Sequence, residues 1–251
     1  MSQSSSQNLV TKAGLFPSTK DKQLKYAVGY VPKTILKWIA VLFTAIYFYG
    51  AFFQPTHLSL RYLGSSAFPM FAYFVADGYE HTRSKLQYAL RLLLCGCVAQ
   101  VPYVLCFQQI DPKFQWYNAL NPVITYFIGL LLIWTLDQIQ KEFQSDPRLR
   151  RTIELLFLVA FGAIAYYFPV YHSFYGVLVI ALFWLLREDF LDSAFVNWFV
   201  MILFRKTEMW ALPGYIIISG LYNQRKGKTP NWVFYVLFPA MLFLYWTILK
   251  F

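Results

Sequence analysis

The stretch ADGYEHTRSK, residues 76 to 85, closes a long apolar run with Asp77, Glu80, His81, Arg83 and Lys85. On a continuous helix Asp77 and His81 stand at i and i+4 on one face, where a carboxylate can orient an imidazole and raise its basicity. That pair is the smallest arrangement that makes a general base. The same residues also fit a plainer role, an interfacial charge cluster that marks where a helix leaves a membrane and sets its topology. Gly78 offers a place for the helix to end, which would dissolve the pairing. The other histidines, His57 in QPTHLS and His172 in PVYHSFYG, fall at predicted outer loops with no acidic neighbour in sequence and read as solvated residues.

A second polar group lies in LYNQRKGKTPN, where Arg225, Lys226 and Lys228 flank Gly227. Such a flexible cationic loop suits phosphates or anionic lipid headgroups. With Arg83, Lys85 and Arg91 it carries enough charge for a phosphorylated cytosolic cofactor. No Walker, Gly-x-Gly-x-x-Gly, His-Glu-x-x-His or Gly-x-Ser-x-Gly pattern occurs, so nucleotide-hydrolase, zinc-protease and serine-hydrolase chemistry has no motif support. Cys95, Cys97 and Cys106 share one apolar segment and signal neither a disulfide framework nor a metal site; they read as buried small hydrophobes.

The elements that position these groups are membrane helices. Of 251 residues, 58% are hydrophobic and only 14% charged, about half the charge of a soluble domain. Apolar runs long enough to cross a hydrocarbon core recur from Thr34 almost to the end. Spans are expected at 34 to 53, 60 to 79, 86 to 107, 119 to 137, 152 to 168, 172 to 187, 190 to 204, 209 to 222 and 232 to 250. The fold class is therefore an all-α polytopic membrane bundle of eight or nine helices, the count depending on 188 to 222. Pro69, Pro102, Pro122, Pro213 and Pro239 are expected to kink it.

The basic excess reads as topology rather than as a nucleic-acid surface. With the N-terminus in the cytoplasm, 17 of the 22 Lys and Arg fall in cytoplasmic segments, and the C-terminus lies outside. Residues 1 to 33 form a basic cytoplasmic tail without a cleavage pattern, so the first span is expected to stay attached. An Asp at mid-membrane costs about 2.5 to 3.5 kcal/mol and much less near the interface, where Asp77 is expected.

The run LRYLGSSAFPMFAYFVADGYEHTRSKLQYALRLL, followed by AQVPYVL, resembles the core of the TraX family of polytopic membrane proteins, named for the F-pilin acetylation protein. Weaker agreement in LKWIAVLF, NPVITYFIGLL, YGVLVIALFWLLR, LYNQRKGK and FYVLFPAMLFLY extends the likeness over residues 34 to 250, within a transmembrane domain of residues 34 to 251. The resemblance implies an acyltransferase-like protein that takes acetyl groups from cytosolic acetyl-CoA and modifies a pilin N-terminus or another acceptor. Carried onto this sequence, it makes Asp77 and His81 the catalytic pair. It makes Arg83, Arg91, Arg225, Lys226 and Lys228 the CoA-binding cations, and Asn121 and Tyr175-Gly176 further matching positions. Four positions depart from the pattern. Tyr47 and Phe48 replace a usual Asp-His, Ser65 replaces an Arg, and Met241 replaces a His.

Three functions are thereby open: an acetyl- or acyltransferase; a catalytically silent subunit that binds a membrane or secreted partner such as a pilin or peptide; and a transporter. The last is disfavoured by the lack of an ionisable pair at mid-span.

Overall fold

The computed structural model describes residues 31 to 188, 190 to 221 and 229 to 251. The expected basic tail therefore lies outside the described residues, apart from its end at Lys33. Regular structure among the described residues is helical, save one bridge from Val31 N to Leu221 O at 2.9 Å. In chain order the helices are α1 (Lys33–Phe52), α2 (Leu58–Gly64), α3 (Ala67–His81), α4 (Lys85–Ile110), α5 (Pro122–Glu142), α6 (Pro147–Tyr167), α7 (Ser173–Leu185) and α8 (Phe190–Phe204). A 3₁₀ helix (Lys206–Ala211), α9 (Leu212–Leu221) and α10 (Trp232–Lys250) complete the fold.

Each of the nine expected segments contains helix, with two differences. The segment expected at 60 to 79 is two helices that meet at Ser65-Ser66, and the one expected at 209 to 222 opens as a 3₁₀ turn. Among the described residues four helices, α1, α4, α5 and α10, are long and apolar enough to cross a membrane. Proline placement explains part of the pattern. Pro102 and Pro239 lie inside α4 and α10, whereas Pro122 opens α5, and Pro69 and Pro213 sit in the first turns of α3 and α9. In a first turn the missing N–H costs nothing, so these three start helices rather than kink them.

Short polar caps set the boundaries. Asn121 and Asp146 accept from the backbone N–H groups of Val123 and Arg148, each at 3.0 Å, and each precedes a proline at the first helical position. Asn121 is fully buried and its amide also donates to Gly96 O and Gln100 Oε1 at 2.8 Å, which fastens the start of α5 to α4.

The core lies where α3, α5 and α7 pack together, and α6 and α10 run along the outside with one buried residue each. Leu86, Leu90, Leu94, Val98 and Val101 form an exposed apolar stripe down α4, and Leu155, Leu156 and Val159 expose another on α6. Stripes of this length on a soluble surface would drive association; against lipid they are the expected outer face. Cys97 belongs to this outer face, contrary to the expectation that all three thiols are buried. Cys95 and Cys106 are inside and donate at 3.2 Å to Tyr235 O and Leu242 O, which joins α4 to α10.

Candidate functional site

The 76 to 85 stretch holds five helices together at one end of the bundle. α3 continues through Gly78 to His81, and a Cβ at residue 78 would stand 2.8 Å from the Tyr88 hydroxyl, so glycine lets α3 and α4 approach. Lys33, at the start of α1, donates to the Asp77 carboxylate. The Tyr79 hydroxyl donates to Asp137 on α5 at 2.7 Å, and Lys141 donates to the same oxygen at 2.6 Å. Lys85, opening α4, donates to Tyr79 O. Glu80 accepts from the Trp184 indole of α7, and Arg187 Nε stands 3.6 Å from it.

This clamp limits what the expected catalytic pair can do. His81 Nδ1 is 3.4 Å from Asp77 Oδ1 and 2.8 Å from Asp77 O, so the two residues do meet. In the neutral ring a proton on Nδ1 is donated back to the residue's own helix and Nε2 is the basic atom, on a side chain 63% exposed. Asp77 is only 13% exposed and is engaged by Lys33. The pair is therefore a surface imidazole beside an occupied carboxylate. Arg83, in the α3–α4 loop, and Arg91, on α4, are exposed and form no ion pair among the described residues. Arg225, Lys226 and Lys228 lie outside the described residues.

A cavity of about 1100 Å³, counting the space at its mouth, runs between α1, α3, α4, α5 and α10. Lys37 and Asn231 mark the clamp end, where Lys37 Nζ donates to Asn231 Oδ1 at 2.8 Å. Tyr47, Gly64 and Tyr171 mark the other end. A Cβ at Gly64 would stand 2.5 Å from Tyr47 N, so glycine is what brings α2 against α1 at that end. The wall between is largely aromatic and aliphatic, including Phe48, Phe68, Phe71, Tyr126 and Phe238.

A family model, the TraX protein, matches residues 32 to 249. The chain belongs to the TraX family. No curated protein and no solved structure gives a match. With TraX membership in hand, the departures noted in the sequence gain a common location: Tyr47, Phe48, Ser65 and Met241 come from α1, the α2–α3 junction and α10, and all four line this one cavity. Among the described residues no carboxylate or imidazole lines it, and one thiol does, Cys95, which is hydrogen-bonded to Tyr235 O.

Behind the far wall of the TraX cavity lies a polar cluster that sequence reasoning passed over. His172 is not solvated: its ring packs 4.1 Å from Tyr171 and 4.2 Å from Phe68, and its side chain is 1% exposed. Its Nδ1 is 3.1 Å from the Tyr175 hydroxyl and 3.5 Å from Glu208 Oε1, and Arg205 Nη1 is 3.8 Å from the same carboxylate oxygen. Burial, with a smaller contribution from Arg205, holds the His172 imidazole well below its usual pKa. Burial pushes the Glu208 carboxyl up to about 7, and Arg205 partly opposes it. His172 and Ser173 both have positive φ, at 61° and 50°, which costs about 1 to 2 kcal/mol per residue and persists only where packing enforces it. No local pattern marks Glu208 as a partner, since it lies 36 positions from His172 and follows a different helix.

Proposed function

We propose that this TraX protein is a multi-pass membrane protein that binds a ligand in its aromatic cavity without transferring an acyl group there. It serves a membrane or secreted partner, such as a pilin or peptide, rather than acetylating it. One observation carries the reading: Tyr47, Phe48, Ser65 and Met241, the positions expected to be Asp, His, Arg and His in the family, converge on one cavity whose wall offers no carboxylate and no imidazole among the described residues. Acyl transfer to an amine or hydroxyl needs a positioned base at the reacting atoms. The clamp end faces the cytoplasm in this reading, because Lys33, Lys37, Arg83, Lys85, Arg91 and Lys141 gather there. Together with α1, α4, α5 and α10, the helix α6, the short helices α7, α8 and α9, and α2 and α3 in series complete up to nine crossings.

A second reading is acyl transfer from acetyl-CoA at the cytoplasmic rim. It is favoured by the 3.4 Å approach of Asp77 to His81 Nδ1, which leaves a basic Nε2 exposed near Arg83. Incubation of the purified protein with labelled acetyl-CoA and its co-purifying partners separates the two. Binding without transfer predicts no label on any acceptor. Label that disappears in His81→Ala supports the transferase and overturns the first reading.

A further inference from the structure

We infer that the cavity's ligand is a single-chain anionic amphiphile, a medium-chain fatty-acid carboxylate, with its head at Lys37 and Asn231 and its tail toward Tyr47. The inference rests on the binding reading above and adds the chemical class of the ligand.

Charge and shape both point there. Lys37 lines the mouth of a largely apolar cavity, with its ammonium 5.1 Å from the Phe234 ring centroid. Its hydrogen bond is to a neutral amide, Asn231, and among the described residues it makes no ion pair, because the nearby Asp77 carboxylate is taken by Lys33. An ammonium held against aromatic surface favours an incoming anion, which would be shielded less there than in water. A single ammonium beside one amide matches a monoanion. A phosphate would be better met by the fork of an arginine, and among the described residues no arginine lines the wall.

The tail follows from the geometry. Ten residues of α1 separate Lys37 from Tyr47, so the cavity is about 15 Å deep along that helix. A zigzag hydrocarbon built from C–C bonds of about 1.5 Å advances roughly 1.3 Å per carbon, so about twelve carbons fit. Tyr47 and Tyr171 meet edge to face at 6.1 Å at the far end and set that length. Tyr47 and Phe48, which empty the cavity of transfer chemistry, are also what make its inner half suitable for a hydrocarbon tail.

The test uses the full chain in phosphatidylcholine nanodiscs with radiolabelled laurate as probe, with empty discs subtracted. Laurate, dodecanol and dodecyl phosphate compete for the probe in wild type, Lys37→Met and Asn231→Leu, each checked for an intact thermal transition. Saturable probe binding is expected, with laurate about tenfold more effective than dodecanol in wild type and no better than dodecanol in Lys37→Met. Asn231→Leu serves as the second readout of the head site if Lys37→Met does not fold, and is expected to narrow the same preference. Equal competition by laurate and dodecanol in wild type overturns the anionic head while leaving the cavity as a binding site. Stronger competition by dodecyl phosphate overturns the carboxylate. A lack of saturable probe binding overturns the binding reading itself.

Discussion

Replacement of Asp77 by Asn separates a structural clamp from a catalytic carboxylate. Asp77 is 13% and Lys33 18% exposed, and Asn keeps the shape while removing the charge that Lys33 faces. Breaking a fully buried pair costs about 3 to 5 kcal/mol, and an exposed pair about 0 to 1. A partly buried pair at the end of a bundle falls between, at about 2 kcal/mol. For a chain of this size that corresponds to a fall in Tm of about 4 to 8 °C, readable by the intrinsic fluorescence of eight tryptophans. The double variant Lys33→Met, Asp77→Leu removes both charges together and is expected to recover most of the loss, since an apolar pair at this depth leaves no uncompensated ion. Probe binding should follow stability through all three proteins. An unchanged Tm in Asp77→Asn refutes the clamp. So does a double variant that is stable yet has lost function, because Asp77 would then act through its chemistry.

Three further outcomes follow from the packing and the far-end cluster. The Glu208 pKa is raised from 4.5 to about 7, so its protonated form favours the fold; that contribution, up to about 3 kcal/mol, is complete below pH 4.5 and lost as pH rises through 7. His172 contributes with the opposite sign, since its depressed pKa favours the fold above about 6.5, so the comparison must be with Glu208→Gln. The Tm of Glu208→Gln relative to wild type should rise from pH 5 to pH 8, and a constant difference would exclude a titrating Glu208. Gly64→Ala places a Cβ 2.5 Å from Tyr47 N and should cost about 1 to 3 kcal/mol by thermal unfolding, with weaker probe binding as α1 shifts. Asn121→Ala removes the α5 cap and two hydrogen bonds to α4, and a loss of about 2 to 3 kcal/mol is expected in the same assay.

The helical fold was legible because long apolar runs are local signals, and the family likeness carried the 76 to 85 stretch with them. The i, i+4 geometry of Asp77 and His81 was legible for the same reason. Their surroundings were not. Asp77 is claimed by Lys33, 44 positions earlier, and Glu80 by Trp184, 104 positions later, and such pairings appear only when helices are brought together. The burial of His172 was hidden in the same way, since a Tyr-His-Ser-Phe loop has the composition of an exposed one. Tyr47, Phe48, Ser65 and Met241 could each be seen as departures in sequence, but their convergence on one cavity is a property of tertiary packing.

A CoA-binding isotherm on the purified protein, repeated with Arg83→Ala and Arg225→Ala, decides whether the protein binds its ligand without acyl transfer. No saturable CoA binding is expected in any of the three. Saturable binding in wild type that weakens in both variants would contradict binding without transfer and restore the transferase reading.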